Sequence, residues 1–256
     1  MPSPLMAKVQ FPAGPPEGKL APLGGSAAHN VASVGAFIFD MDGTIVDSMP
    51  HHAKTWLDFA KKHGLSMGID DIMRRTTGHT GVECVRLLLD QPDMPEALAW
   101  ALVHETEQLY RAIFGPIFKE VAGFGAFYQA TRARGLKVGL GTAGDIHNVE
   151  FVLSHLHLTP PPDAIARGDE GLSGKPTPAI FLAAAPRRGV APEHCIVFED
   201  APFGIEAARR AGMRAVAICS SHSAAELAGP HVLTAVRDYN ELFKQQFLET
   251  LHEAFA

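Results

Sequence analysis

Strand-like and helix-like segments alternate through the second half of the chain. Between the strand-like segments, apolar residues recur at helical spacing. This alternation predicts parallel strands joined by crossover helices, because two parallel strands need a long connection, which a helix supplies. The predicted fold class is therefore α/β, a doubly wound parallel sheet. The strands predicted after the first are LKVGLGT (136–142), PDAIA (162–166), CIVFE (195–199), RAVAIC (214–219) and VLTAV (232–236).

The first predicted strand is the apolar run Ala36–Phe39, and a helical block separates it from the other strands. Every periodic segment in residues 49–118 is helical, and no strand signal interrupts them. The block is too small to supply the main core, so we expect it to be an insert. The predicted division is a flexible Pro/Gly/Ala-rich tail (1–34), an α/β core (35–48 and 119–256) and the helical insert (49–118).

Several helix ends carry local signals. Ser48, with Pro50 in the first turn, predicts the start of the helix after the first strand, and Asp145 and Thr177 predict the starts of two later helices. Pro186 is expected to kink the helix that Thr177 begins, because proline lacks the backbone donor. A short helical piece is expected after RAVAIC, and a last helix from about residue 238.

Composition excludes several classes of protein. The chain has 256 residues, is 46% hydrophobic and has a net charge of -6, which disfavours nucleic acid as a partner. No apolar run approaches the roughly 18 residues that a membrane helix needs. Three scattered cysteines predict buried free thiols and a reducing, cytoplasmic setting. A monomer is the default expectation.

Polar residues cluster where the predicted strands end. In a doubly wound sheet the ligand site lies beyond the carboxyl ends of the strands, so these residues are expected to meet. We call them the carboxyl-end rim: Asp40, Asp42, Thr142, Lys175, Glu199 and Asp200.

The residue types of this rim predict phosphate chemistry. Four carboxylates repel one another, so a divalent cation is the simplest way for them to coexist, and all-oxygen ligands favour Mg2+. Thr142 and Lys175 would donate to phosphate oxygens. One aspartate can attack phosphorus to form an aspartyl-phosphate. The other can protonate the leaving oxygen and later take a proton from water.

Four segments together resemble the motifs of the haloacid dehalogenase superfamily. They occur in the family's order and at compatible spacing, and the helical block resembles the small helical cap of that superfamily. The segments are DMDGT (Asp40–Thr44), GLGT ending at Thr142, GKP around Lys175, and EDAPFGIEAARRAGM (Glu199–Met213).

The resemblance implies a role for each rim residue. Asp40 would be the nucleophile and Asp42 the general acid and base, while Thr142 and Lys175 would hold the transferring phosphoryl group. Mg2+ would be bound by the Asp40 carboxylate, the Asp42 backbone carbonyl and Asp200, with Glu199 as a direct or water-mediated neighbour. Dehalogenases proper lack the second aspartate, so its presence favours phosphoryl transfer.

Within the superfamily the chain resembles β-phosphoglucomutase and the related small sugar-phosphate phosphatases. In that group a histidine matching His52 contacts substrate or the acid/base residue. The mutase grips a second phosphate with a cap arginine and with a serine and a lysine after the second motif. This chain lacks the arginine after Gly78 and has Gly144 and Asp145 in place of the other two. The expected function is therefore a phosphatase acting on a small phosphorylated metabolite such as a sugar phosphate.

Other interpretations stay open at the level of sequence. The runner-up function is a β-phosphoglucomutase-type mutase, and a third is a non-catalytic phosphometabolite-binding protein. Thr142 can be an ordinary helix cap, Lys175 a solvated loop residue, and Asp200 a cap for the helix that follows it. His52 lies on the helix face of Trp56 and can be a packing residue.

Overall fold

The computed structural model describes residues 34–185 and 190–252, with the side chain of His252 excluded. Its strands are β1 Ala36–Phe39, β2 Lys137–Gly141, β3 Ala164–Ala166, β4 Cys195–Glu199, β5 Arg214–Ile218 and β6 Val232–Val236. Its α-helices are α1 Met49–Lys62, α2 Ile69–Thr76, α3 Gly81–Leu89, α4 Glu96–Phe114, α5 Phe124–Ala133, α6 Ile146–Leu156, α7 Ala179–Ala184, α8 Pro202–Arg210, α9 Tyr239–Lys244 and α10 Phe247–His252.

The six strands form one sheet in the order β3-β2-β1-β4-β5-β6, and every neighbouring pair is parallel. β1 lies in the middle, between β2 and β4. The chain therefore winds outward in both directions from β1, which confirms the predicted doubly wound α/β fold. The carboxyl ends of β1, β2 and β4 meet at one edge, where a doubly wound sheet places its ligand site.

Alternation along β1 divides the core between the two faces of the sheet. Phe37 and Phe39 pack on one face with Phe127, Phe198 and other aromatic residues. Ala36 and Ile38 face the opposite side and join an aliphatic cluster with α7 and α8. All four side chains are buried, as expected for a central parallel strand covered by helices on both faces.

Helices α1–α4, which we call the helical insert, follow β1 and have a hydrophobic cluster of their own. That cluster joins Trp56, Phe59, Val85, Leu88 and Val103. The sequence predicts no strand in residues 49–118. All of these residues are described, and none of them belongs to a strand, which confirms the prediction. The division of the chain at residues 34/35, 48/49 and 118/119 stays a prediction, and residues 1–33 of the predicted tail lie outside the described residues.

Five local predictions need full or partial correction. The predicted start of α1 at Ser48 is confirmed, but Ser48 makes no side-chain capping bond. Its hydroxyl is oriented toward Asp42, to which it donates. Thr177 donates to Ser173 O and Gly174 O, and the N-cap position of α7 is Pro178.

The remaining corrections concern the C-terminal half. The segment after β5 forms turns and no helix among its described residues. The last predicted helix is two helices, α9 and α10, separated at Gln246, which has a φ of 52°. Cys84 and Cys195 are buried as predicted, whereas Cys219 is only half-buried. Pro186, where a kink was predicted, lies outside the described residues. None of the described helices combines the length and the apolar character that crossing a bilayer requires.

Candidate active site

The carboxyl-end rim forms in the structure, and all six of its residues line one cavity. Asp40 follows β1, and Thr142 follows β2. Glu199 is the last residue of β4, and Asp200 follows it. Lys175 comes from the loop between β3 and α7. Residues of the helical insert line the opposite side: Trp56, Met73, His79, Trp100, Val103 and Glu107. The cavity is therefore bounded by the sheet edge on one side and by the insert on the other.

Lys175 is the positive centre of the rim. Its Nζ donates to Asp40 Oδ1 over 2.5 Å and to Glu199 Oε1 over 2.6 Å, and the residue is 2% exposed. Burial acts to lower the pKa of Lys175, but its two carboxylate partners outweigh burial and raise it. Lys175 is thus a buried, charged residue, and the interpretation as a solvated loop lysine is wrong.

Glu199 has both carboxylate oxygens engaged. Oε1 accepts from Lys175, and Oε2 accepts from the backbone amide of Ala201 over 2.6 Å. These two bonds fix the carboxylate and, through it, the direction of the lysine side chain.

Asp40, Glu199 and Asp200 form the group of acidic residues that fits a metal ion among the described residues. One oxygen from each lies within 4.8 Å of the others. Burial raises the pKa of Asp40 and of Asp200, and the neighbouring carboxylates add to the rise, while Lys175 opposes it. One lysine therefore does not compensate the three carboxylates, and a divalent cation would supply the missing positive charge. An all-oxygen donor set suits Mg2+.

Asp200 is held by two hydroxyl groups. Thr44 Oγ1 donates to Oδ1 over 3.4 Å, and Ser221 Oγ donates to Oδ2. The N-cap position of α8 is Ala201, without a side-chain capping bond, so the alternative of Asp200 as a helix cap is wrong. Gly43, at a φ of 78°, brings the backbone so close that an added Cβ would lie 2.2 Å from Asp200 Oδ2.

Asp42 differs from Asp40 in its surroundings. Three donors converge on Oδ1: Ser48 Oγ at 2.7 Å, His52 Nε2 at 3.0 Å and Tyr110 Oη at 3.3 Å. Burial acts to raise the pKa of Asp42, but the His52 charge and these hydrogen bonds outweigh burial and lower it. Asp42 is therefore an ionised acceptor in this geometry.

His52 lies between two carboxylates. Nε2 contacts Asp42, Nδ1 lies 3.9 Å from Glu107 Oε2, and the ring stacks on Tyr110 at a centroid distance of 3.8 Å. Burial acts to lower the pKa of His52, but the charges of Asp42 and Glu107 raise it to about 9. The interpretation of His52 as only a packing residue is wrong, because it also pairs with Asp42.

Thr142 is buried, and its Oγ1 accepts from Gly144 N over 3.0 Å. The cap of α6 is Asp145, whose Oδ1 accepts from Asn148 N over 2.9 Å. The sequence prediction for Asp145 is thus confirmed, and the alternative of Thr142 as the cap is wrong.

Sequence reasoning missed residues that only the insert brings to the rim. Tyr110 and Glu107 belong to α4, far along the chain from Asp42, and Asn148 connects Glu107 to Asp145. No spacing rule links residues that meet through tertiary packing, so a single sequence carries no local signal for them.

Comparison with known proteins identifies the family. The sequence model of the haloacid dehalogenase-like hydrolases matches residues 34–212. The chain belongs to this family. This haloacid dehalogenase-like hydrolase is 36% identical to the Escherichia coli fructose-1-phosphate phosphatase YqaB over 181 residues, which are 70% of the chain and 93% of that protein. It is 30% identical to a phosphorylated carbohydrates phosphatase of Thermotoga maritima, over 71% of the chain and 83% of that protein.

Solved structures give the same result for the fold. β-Phosphoglucomutase from Clostridium difficile superposes with a TM-score of 0.74 at 26% identity, over 87% of this chain and 99% of that one. The family and its phosphatase members confirm the prediction of an enzyme, a haloacid dehalogenase-like phosphatase.

Proposed function

We propose that this hydrolase is a Mg2+-dependent phosphatase that cleaves the phosphate ester of a small sugar phosphate through an aspartyl-phosphate intermediate. The observation that carries the proposal is the contact between Lys175 Nζ and Asp40 Oδ1 inside a cavity that Asp42 and Thr142 also line. A nucleophile, a phosphate-binding cation, a hydroxyl donor and a second carboxylate therefore surround one space.

Each residue has a defined part in the proposed reaction. A carboxylate oxygen of Asp40 attacks phosphorus, and the P–O bond to the sugar breaks as Asp42 protonates the leaving oxygen. Water then attacks the aspartyl-phosphate, Asp42 takes the proton from that water, and Asp40 is released as a free carboxylate with inorganic phosphate. Thr142 and Lys175 hold the phosphoryl oxygens through both steps.

Asp42 must be protonated before it acts as an acid. In the structure it is ionised, which suits the second step. The negative charge of a bound phosphoryl group would raise the pKa of Asp42 and favour the proton that the first step needs. His52, Ser48 and Tyr110 keep its carboxylate in place between the two roles.

Mg2+ would be held by Asp40 and Asp200, and by the Asp42 backbone carbonyl. When bound, it would neutralise charge on the phosphoryl oxygens and so help an anionic nucleophile approach. Glu199 has both oxygens engaged, so we propose that it anchors Lys175 and meets the metal through water.

We propose that the helical insert is a cap that selects the substrate. Its residues form the cavity wall opposite the rim. Closure of such a wall over the rim would exclude bulk water from the aspartyl-phosphate until the hydrolytic step.

The cavity lining favours a phosphatase over the runner-up mutase. Among its described residues the lining contains one lysine and no arginine. That lysine, Lys175, lies at the reacting end. A mutase must also bind the second phosphate of a bisphosphate intermediate, and in the part of the chain that the structure describes no further lysine or arginine lines the cavity to do so.

The test is phosphate release with Mg2+ from a panel of small phosphate monoesters, for the wild type and Asp40→Asn. We expect the wild type to release phosphate and Asp40→Asn to release none, because an amide is a poor nucleophile. Asp47→Asn is the control: Asp47 lies in the same segment but pairs with Lys119 at the surface, so this variant should keep its activity.

Three results would count against the proposal. Retained activity in Asp40→Asn would refute the nucleophile. Conversion of β-glucose 1-phosphate to its isomer with a bisphosphate primer and little free phosphate would show a mutase. A wild type that binds phosphate esters without reaction would support the binding protein.

A further inference from the structure

Asp145 has one buried carboxylate oxygen without a partner. Oδ1 caps α6 by accepting from Asn148 N. Oδ2 is buried and accepts no hydrogen bond from the described residues. The residue is 4% exposed and lines the active-site cavity. A buried acceptor without a donor is unfavourable by about as much as a lost hydrogen bond. A hydrogen bond from a bound molecule to Oδ2 would therefore be favourable.

Glu107 faces the same cavity from the helical insert. Asn148 ties the two carboxylates together: its backbone amide donates to Asp145, and its side-chain Nδ2 donates to Glu107 Oε2 over 2.7 Å. Arg111 Nη1 in turn donates to Asn148 Oδ1 over 2.6 Å, which fixes the orientation of the amide. Two acceptors, one from the core and one from the insert, are therefore held at set positions.

Each of these carboxylates already has a cationic neighbour. His52 lies 3.9 Å from Glu107, and Arg111 lies 4.0 Å from Asp145 Oδ1. What Oδ2 lacks is a hydrogen-bond donor and not a positive charge. A neutral hydroxyl group meets that need. Trp56 and Trp100 also line the cavity, and aromatic rings of this kind can pack against the C–H face of a sugar.

We propose that Asp145 and Glu107 form an acceptor subsite that binds a hydroxyl group on the non-phosphorylated part of the substrate. The proposal rests on the proposed phosphatase function and specifies its substrate as a neutral, polyhydroxylated monophosphate. Arg111 does not line the cavity, so a second phosphate at this subsite would approach two carboxylates without direct access to that guanidinium group. Such a substrate should be rejected by like-charge repulsion.

The test varies Asp145 without removing the helix cap. Asp145→Ser keeps one oxygen that can cap α6, because serine and aspartate are similar N-caps, and it removes the second acceptor. Asp145→Asn keeps the cap and turns the second acceptor into a donor. We would measure kcat/KM for the best hexose or hexitol monophosphate of a panel and for phenyl phosphate, which has no hydroxyl groups, and compare the ratio of the two.

We expect Asp145→Ser to lower this ratio about 10- to 100-fold, as for a hydrogen bond to a charged group. Asp145→Asn should lower it less, because a hydroxyl group can also accept from the new amide donor. Asp145→Asn should also reduce the preference of the enzyme for fructose 1-phosphate over fructose 1,6-bisphosphate. Asp238→Ser is the matched control, because Asp238 caps α9 in the same way and does not line the cavity. This control should leave the ratio unchanged.

The outcomes separate this proposal from the proposed function. If the wild type hydrolyses phenyl phosphate and sugar monophosphates but the Asp145 variants keep the wild-type ratio, the subsite is refuted and the phosphatase stands. A tenfold preference for glucosamine 6-phosphate over glucose 6-phosphate would also refute it, because the subsite would then select a cation. If the wild type releases phosphate from no ester, both proposals fall.

Discussion

Gly174 and Glu83 are joined by a hydrogen bond in which the Gly174 backbone amide donates to Glu83 Oε1 over 3.1 Å. Glu83 Oε2 accepts from Thr80 N over 2.7 Å, as part of the capping box of α3. The Lys175 amide also donates to Gly78 O over 2.9 Å. The helical insert is thus attached to the loop that carries Lys175, immediately beside that lysine.

Glu83→Gln should weaken this attachment. Glutamine has one acceptor oxygen, so either Thr80 N or Gly174 N loses its partner. We expect a loss of about 1–2 kcal/mol in the free energy of unfolding together with a several-fold lower kcat/KM, measured by urea denaturation and by phosphate release. Glu226→Gln is the control, because Glu226 makes a similar cap with Ser223 away from the cavity. Both Ser223 donors use Oε2, which the glutamine oxygen can replace, so this variant should lose little stability and leave kcat/KM unchanged.

The stability difference between the wild type and Glu83→Gln should also depend on pH. Burial acts to raise the pKa of Glu83, but hydrogen bonds from His79, Thr80 and Gly174 lower it from its usual 4.5 to about 2. A depressed pKa stabilises the folded state above the unfolded pKa and loses that contribution as the pH falls toward 2. The difference should therefore be constant above about pH 5 and shrink between about pH 4.5 and 2. A difference that grows on acidification would contradict the assignment.

His52→Phe should separate packing from the polar contact with Asp42, the proposed acid/base residue. Phenylalanine can keep the stacking on Tyr110 but cannot donate to Asp42. We expect kcat to fall about 10- to 100-fold, within the range that general acid–base catalysis supplies. His51→Phe is the control. His51 belongs to α1, as His52 does, and stacks on Phe114, but it does not line the cavity. Equal losses in the two variants would show that His52 serves packing alone.

Gly43→Ala should disturb Asp200 as well as the backbone. The positive φ alone is unfavourable by about 1–2 kcal/mol for an L-residue, and the added Cβ would also collide with the Asp200 carboxylate. Gly212→Ala isolates the first effect, because Gly212 has a φ of 73° and nothing within 4 Å of the added Cβ. We expect thermal denaturation to show a larger loss for Gly43→Ala, and phosphate-release assays to show lost activity in that variant only. Equal behaviour would remove Asp200 from the explanation.

Mg2+ should raise the melting temperature of the wild type. Binding at about a hundredfold excess over Kd stabilises a folded protein by about 2.7 kcal/mol, on the order of 5–10 °C for a chain of this size. Asp200→Asn should abolish the shift, because it removes one of the carboxylates that would bind the metal. Asp47→Asn should keep it. A wild type whose melting temperature is the same in Mg2+ and in EDTA would refute the metal site.

The sequence predicted the sheet well because its signals are local. The strand Cys195–Glu199 and the strand Val232–Val236 match their predicted bounds, since buried parallel strands are short apolar runs bounded by turn residues. The predictions of helix ends were less accurate. Ser48 and Thr177 have the residue types of N-caps, yet their hydroxyls donate to Asp42 and to the preceding loop. A hydroxyl caps a helix only when its oxygen faces the amides of the first turn, and in these two residues it is oriented toward other partners.

The sequence by itself determined the fold class and the rim, because residues that follow parallel strands must meet at one sheet edge. The family resemblance implied different roles for the two aspartates, but only the tertiary structure showed which contacts distinguish them. Lys175 binds Asp40, whereas Ser48, His52 and Tyr110 bind Asp42. Packing of the insert against the sheet, which no local pattern encodes, also brought Glu107 opposite Asp145. The residues of the proposed reaction thus lie at strand ends, where local sequence signals place them. The residues of the proposed substrate selection meet only through long-range packing.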